Sequence, residues 1–407
     1  MTVCLKNANI FLSDGVRKGS VVYDDVSGRI LSVCGENDIV SADSVIDAKD
    51  GLLIPGLVDV HTHGRAGHDF NFASKEEMKE MSRSYMMSGV TTLLPTLASA
   101  EYEALIRSSD TISEIISDEN SDKNSDKNFD KNDKNKEPDK AGAHFAGVHL
   151  EGRYLNPLKR GAHRPDLLVK PNAGEIAELM SHMSGAVHIS AAYELEGGAE
   201  FAKKALELGA TLGLAHTNAT YAEALEAEKN GVTSYTHLMN AMPPLHQREG
   251  GAVCAALTGD KYCELICDGF HVKPEMVRLI YKLTGVERLV LITDSMEATG
   301  CRDGNYSIAG MPVTVKNGKA YTTDGAIAGS TLSLIDGVKN LTEFCGARFE
   351  DAVKCASENP AKMVGIFDEV GSIQRGKRAD MLLLNPETYD IEMIICNGIQ
   401  HVPGECR

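Results

Sequence analysis

Between residues 57 and 293 one unit recurs eight times: a short apolar run, then a polar loop, with a stretch of helical periodicity between most of the runs. The runs are 57–61, 91–95, 145–150, 186–191, 210–215, 232–237, 263–267 and 288–293. Apolar runs of this length joined through helices read as buried parallel strands, because a parallel pair needs a long crossover. Three helices are legible in detail. Residues 75–88 follow Ser74 as N-cap and stop at Gly89, while 198–208 and 219–229 are rich in Ala, Glu and Leu and end near Gly209 and Gly231. Eight such units predict an α/β chain built as a (β/α)8 barrel of the TIM type over residues 55–369. No G-x-G-x-x-G follows a strand, which argues against an open dinucleotide-binding sheet.

The two ends read differently. Residues 1–54 alternate in short runs, 3–8, 19–23, 29–34 and 45–47, and residues 370–407 do the same at 381–384 and 393–396, before Asn397-Gly398, a hairpin signal. Neither end suffices alone, so the expectation is one small β-sandwich domain built from both. Residues 118–140 stand apart: Asp-Lys-Asn occurs four times around a single aromatic, Phe129, with eight acids against six lysines. Such a composition cannot bury enough apolar surface to order itself, and a disordered charged insertion within the barrel is expected.

Composition narrows the partners. Lys and Arg number 41 against 58 Asp and Glu, a net charge of −17, which argues against nucleic acid. No apolar run approaches the roughly 18 residues of a membrane span, and residues 1–12, interrupted by Lys6 and Asn7, do not read as a signal peptide. Ten Cys without a C-x-x-C pair suggest buried free thiols in a reducing cytoplasm.

The strand ends carry the chemistry, and in such barrels sites form at the C-terminal ends of strands. The first run ends Asp59-Val60-His61-Thr62-His63, where period two sets Asp59, His61 and His63 on one face. The third ends at Glu151, the fifth at His216, the sixth at His237 and the eighth at Asp294; Asp268 and His271 follow the seventh. Imidazole and carboxylate together suit Zn, Fe and similar divalent cations. Glu151, His216 and His237 would hold one ion with an open position; His61 and His63 would hold a second, with Glu151 bridging. Asp294 reads as a proton acceptor beside the metal or as a helix cap. His188 reads as a core residue, His182, His246 and His401 as surface or loop positions, and His149 stays ambiguous.

These residues carry a family resemblance. Gly147-Val148-His149-Leu150-Glu151-Gly152, Ala215-His216-Thr217-Asn218-Ala219-Thr220, Thr236-His237-Leu238-Met239-Asn240-Ala241-Met242-Pro243-Pro244, Asp268-Gly269-Phe270-His271-Val272 and Thr293-Asp294 together resemble the N-acetylglucosamine-6-phosphate deacetylases of the amidohydrolase superfamily, nearly end to end. The resemblance implies Glu151, His216 and His237 as primary metal ligands, and His61 and His63 as the pair that some members lack, so one or two cations per subunit. It implies Asp294 as general base and acid, and His163, after Gly161-Ala162, as a sugar contact. Asn240, the Ala241 backbone, Arg248 and His271 match substrate-binding positions, several near the phosphate, and Ile327-Ala328-Gly329 matches a loop lining the sugar pocket. It implies a phosphorylated amino sugar as substrate and a homodimer in which Arg248 reaches the neighbouring site. Two departures stand out. Arg153 occupies the usual Pro position, which frees the loop's φ and adds a guanidinium near the site. Strand four offers Ser190 and Ala191 where other relatives have a bridging lysine. The rivals are an amidohydrolase acting on a cyclic amide or on the galactosamine analogue, and a catalytically silent metal-binding scaffold.

Overall fold

The structure is a computed structural model that describes residues 1–122 and 142–403. All eight expected strands are present: β1 (Leu57–Thr62), β2 (Val90–Ala98), β3 (Gly147–Glu151), β4 (Ala186–Ala191), β5 (Thr211–Leu214), β6 (Ser234–Tyr235), β7 (Tyr262–Ile266) and β8 (Leu289–Ile292). Each pairs in parallel with the next, from β1 through to β8. The ring closes where the ends of β1 and β8 meet: Asp294 N–H donates to the His61 carbonyl at 2.9 Å, and His63 N–H to that of Ser295 at 2.8 Å.

Helices α1 (Lys75–Met87), α2 (Tyr102–Asp122), α3 (Ala173–Met180), α4 (Gly198–Glu207), α5 (Tyr221–Lys229), α6 (Gly251–Thr258), α7 (Pro274–Thr284) and α8 (Leu334–Cys345) cross between strands or follow the last of them. Ser74 caps α1 in a full capping box with Glu77. Thr220 does the same for α5 with Glu223, so that helix starts two residues after the expected Ala219. Helix α2 corrects the insertion boundary: residues 118–122, expected to be disordered, are its last turn, where Ser121 Oγ donates to the Ser117 carbonyl. The rest of that segment lies outside the described residues.

The inside of the barrel is unusual. Val58 and Val60 pack outward with Ala361 and Val364, which turns Asp59 and His61 to the interior. Thr96, His149, His188, Ser190, Thr236, Glu264 and Thr293 are buried with them. Most of these groups satisfy one another. Thr293 Oγ1 donates to Asp59 Oδ2 at 2.6 Å, His149 bonds the hydroxyls of Thr96 at 3.0 Å and Ser190 at 2.8 Å, and Ser190 meets Thr236 Oγ1 at 2.7 Å. His149 thus has both ring nitrogens engaged, which resolves its ambiguity. The apolar core lies outside the strands, against the helices.

The termini form the expected separate sheet domain. Its order runs from Ile399–His401 through Ile391–Cys396, Met381–Leu384, Leu52–Pro55, Thr2–Leu12 and Gly15–Asp24 to Arg29–Gly35, with Ser44–Asp47 beside Thr2–Leu12. Gln400 Nε2 donates to the Tyr23 hydroxyl at 2.9 Å and Ala379 N–H to the Gly28 carbonyl at 2.8 Å, so the two ends of the sheet fold over one core. One element was not anticipated: a three-stranded antiparallel sheet, Gly304–Ile308, Met311–Lys316 and Lys319–Thr322, inserted after β8. Its sequence signal is Asn317-Gly318 between alternating residues.

Register places the site, and Gly147 fixes the register of β3 against β4. A Cβ there would overlap the Ala186 carbonyl oxygen. Gly147→Ala is expected to lose about 1–3 kcal/mol of stability, read as a lower denaturant midpoint; an unchanged midpoint would contradict this packing.

Candidate metal and active site

Glu151 is the last residue of β3 and is buried. Its two oxygens face different partners. Oε1 lies 2.9 Å from His237 Nε2 and 3.4 Å from His216 Nε2; Oε2 lies 3.1 Å from His63 Nε2 and 3.4 Å from His61 Nε2. Two clusters able to hold a cation result, Glu151 with His216 and His237 and Glu151 with His61 and His63, and they share this carboxylate. Asp294 Oδ1 stands 3.2 Å from His63 Nε2 and 3.6 Å from His61 Nε2.

Backbone geometry aims these groups. His216, His237 and Asp294 each come two residues after a strand, at φ of 43°, 32° and 49°. Side-chain-bearing residues seldom adopt this left-handed region, and such strain collects at functional sites. The turn that ends each strand swings the next side chain over the barrel mouth.

Burial and charge then set protonation. Burial opposes charge on His63, yet the Asp294 and Glu151 carboxylates raise it to about 9. Against the same burial penalty, Glu151 and Glu264 hold His61 well above its ordinary value, and Glu151 raises His237. Burial would raise Glu151 and Asp294, but the surrounding imidazoles keep both below the usual carboxylate range. His163 behaves oppositely: burial, with His216 beside it, lowers it to about 3. Its Nδ1 accepts from Ser99, whose hydroxyl is 2.9 Å away, so Nε2 carries the proton.

A cavity of about 230 Å³ opens above these groups. His63, Glu151, His216, His237 and Asp294 line it, as do Ala162, His163, Asn240, Ala241, His271, Ile327 and Gly329. His61 lies behind His63, outside the lining. Ala328 is buried in the core of the three-stranded sheet, so of the expected loop only its neighbours reach the cavity. Arg248 is exposed on the loop after β6 and is not brought to the cavity within one chain. A larger cavity of about 710 Å³ between the terminal sheet and the barrel holds none of the expected residues. Of its cations, Arg17 pairs with Asp14 and Lys362 with Glu358.

Sequence reading missed Glu264, placed Asp268 at the strand end without a role, and misjudged Arg153. Glu264 in β7 is fully buried and bonds His61 Nδ1 at 3.0 Å; its signal was a lone charge inside an apolar run. Asp268 Oδ2 holds His271 Nδ1 at 2.7 Å, which leaves Nε2 to face the cavity. The Arg153 guanidinium turns away from the site, toward Glu175 at 3.3 Å and the face of Tyr102.

The sequence profile of the amidohydrolase family matches residues 52–400. The chain belongs to the amidohydrolase family. Among amidohydrolase relatives, the N-acetylglucosamine-6-phosphate deacetylase of Bacillus subtilis (strain 168) is 32% identical over 94% of this chain and 92% of its own length. The N-acetylgalactosamine-6-phosphate deacetylase of Escherichia coli O157:H7 is 31% identical over 84% of this chain and 86% of its own. The crystal structure of N-acetylglucosamine-6-phosphate deacetylase from Thermotoga maritima superimposes with a TM-score of 0.84 at 32% identity, covering 98% of this chain and 99% of that one.

Arg153 ties loop chemistry to the site. Its φ is 62°, closed to proline, and its N–H donates to Ser99 Oγ at 2.9 Å, the hydroxyl that orients His163. Arg153→Pro is expected to cost more than about 1 kcal/mol and to release His163, whereas Arg153→Ala keeps both the turn and the bond. Equal unfolding midpoints for the two variants would sink this account.

Proposed function

We propose that this chain hydrolyses the acetamide of N-acetyl-D-glucosamine 6-phosphate to D-glucosamine 6-phosphate and acetate. The observation that carries the reading is the division of one carboxylate, Glu151, between His216/His237 and His61/His63, with Asp294 against the second pair. The deacetylase relatives, similar over most of the chain, supply the substrate class.

The donor set suits Zn, Fe or a similar divalent cation, one or two per subunit. His61 Nε2 is buried without a hydrogen-bond partner, as a ligand nitrogen requires. Glu151, His216 and His237 would hold the first ion; His61 and His63, with Glu151 bridging, the second. Such a cation, when bound, supplies electrophilic polarisation of the amide carbonyl and water that ionises near neutral pH. Asp294, kept ionised, accepts the proton of the attacking water and returns it to the departing amine. His163 Nε2–H donates to the oxygen on which negative charge develops. Ala162, Asn240, the Ala241 backbone, His271, Ile327 and Gly329 would position the sugar.

Arg248 is assigned to the phosphate of a neighbouring subunit's substrate, in a homodimer. Support comes from the resemblance and from its place: seven residues beyond Ala241, exposed, with no ion pair among the described residues. A cytoplasmic setting is proposed on nine free cysteines among the described residues. No described helix is long and apolar enough to cross a membrane.

The near-equal similarity of the galactosamine-type relative favours a second reading, the N-acetylgalactosamine 6-phosphate substrate. Acetate release from both sugar phosphates and their unphosphorylated forms decides. The gluco phosphate is expected to give the highest kcat/KM. A galacto preference would transfer the assignment to the other epimer, and metal-loaded protein releasing no acetate would leave a silent scaffold. No helix begins near Asp294, because the three-stranded sheet follows β8 and the next helix starts at Leu334, so the alternative reading of Asp294 as a helix cap is set aside. Asp294→Asn is expected to keep metal and substrate binding and to lose about 10²–10⁴-fold in kcat; an undiminished rate would remove Asp294 from the chemistry. Arg248→Ala should raise KM for the phosphorylated sugar by about tenfold or more and leave turnover of N-acetylglucosamine unchanged. Equal losses on both would mean that Arg248 supports the fold or the dimer instead of reading phosphate.

A further inference from the structure

Glu264 sits midway along β7, fully buried, beneath the cavity and outside its lining. A carboxylate in that position is costly unless its neighbours compensate it. Among the described residues no Lys or Arg pairs with it; its partners are imidazoles and one backbone N–H. Oε2 accepts from His61 Nδ1 at 3.0 Å and from the His237 N–H at 3.3 Å. Oε1 faces His188 Nε2 at 3.6 Å, and His188 Nδ1 is held by Thr211 Oγ1 at 2.8 Å.

We propose that Glu264 is a positioning residue that creates the second cation position, by holding His61 with Nδ1–H outward and the Nε2 lone pair toward Glu151. The proposal rests on the two-cation reading above. Ligand imidazoles are oriented by what their other nitrogen bonds. In each pair one ring is anchored. His216 Nδ1 donates to the Lys159 carbonyl at 2.8 Å, and His61 Nδ1 donates to Glu264. The other two rings are not: His237 Nδ1 and His63 Nδ1 are buried without partners. Loss of the Glu264 carboxylate would therefore leave the first pair its anchor and the second pair none. The His237 turn also keeps a support that no side-chain change removes, the Leu238 N–H to the Glu264 carbonyl at 2.8 Å.

The experiment strips the wild-type chain, Glu264→Gln and Glu264→Met with a chelator and titrates each with Zn²⁺ alone, following stoichiometry and both dissociation constants, with circular dichroism and thermal melting as checks of folding. Wild type is expected to take two ions. Glu264→Met should take the first with unchanged affinity and lose the second by more than about 100-fold, whereas Glu264→Gln, which keeps an acceptor for Nδ1–H, should weaken only the second, by about tenfold. If Glu264→Met does not fold, the selective effect in Glu264→Gln decides. Two ions in Glu264→Met at wild-type affinities, or an equal weakening of both positions in Glu264→Gln, would overturn the proposal and leave the proposed function standing. A wild-type chain that takes one ion overturns it together with the two-cation reading, and one that takes none removes the metal-dependent reading altogether.

Discussion

A carboxylate enclosed by four imidazoles governs this molecule. Glu151 is almost wholly withdrawn from solvent, and its oxygens are already divided between two pairs of ring nitrogens. His61 and His216 commit Nδ1–H to Glu264 and to the Lys159 carbonyl, so each turns an Nε2 lone pair toward this carboxylate. That repulsion is relieved by a second proton on the ring or by a cation between them. Its geometry is inherited from the barrel. Glu151 is in register with Ala98 on one side and Ser190 on the other. A slip of one residue in β3 would turn it outward and scatter both clusters at once. The tight contact at Gly147, four residues earlier, is thus a constraint on chemistry as well as on packing.

The barrel meets this demand by giving up an apolar interior. Side chains that would fill a barrel with Val, Ile and Leu are here Asp59, bonded to Thr293, the chain Thr96, His149, Ser190 and Thr236, and Glu264, bonded to His61. A buried polar network is rigid when every member is satisfied and expensive when one is not. Stability must then come from the outer layer, where α1 to α8 bury their apolar faces against the strands. That layer also sustains the left-handed turns at His216, His237 and Asp294, each costing about 1–3 kcal/mol. At Asp294 the strained residue itself donates to the His61 carbonyl, so the bond that closes the ring also fixes this carboxylate at the mouth.

How much of this was legible follows from which forces are local. Strands announced themselves because a parallel ladder demands apolar runs, and all eight appeared within about three residues of their expected bounds. Asp59, His61 and His63 were placed on one face by period two alone. The turns were not legible: nothing in His216 or His237 signals φ > 0, which Gly or Asn would have signalled. Glu264 went unread because a lone acid in a strand shows its purpose only against the ring it anchors. The hairpin signal at Asn317-Gly318 was local and readable, yet it was passed over inside a long connection. Arg153 pointed the wrong way for a related reason. Freed from proline, the turn took a conformation that sends the side chain to Glu175, and that outcome depends on a partner 22 residues on.

The added three-stranded sheet bears on what the site accepts. The inner end of the cavity is all titratable, and its opposite wall is Ile308, Ile327 and Gly329, supplied by an element outside the β/α repeat. Its core, Met296, Ile308, Val313, Val315, Ala320 and Ala328, is a cluster of its own. The wall can therefore change without disturbing the strands that carry Glu151 and the histidines, the division of labour that lets one barrel serve many substrates. Relatives acting on two epimers are 32% and 31% identical to this chain, so overall similarity does not separate them. Epimers differ by the direction of one hydroxyl, and a site rejects the wrong one by leaving a single buried donor or acceptor unpaired. Under the proposed function, that distinction falls to the polar groups that line the cavity with this wall, His163, Asn240 and His271, each already oriented by a partner that keeps it from adapting: Ser99, the His237 carbonyl and Asp268.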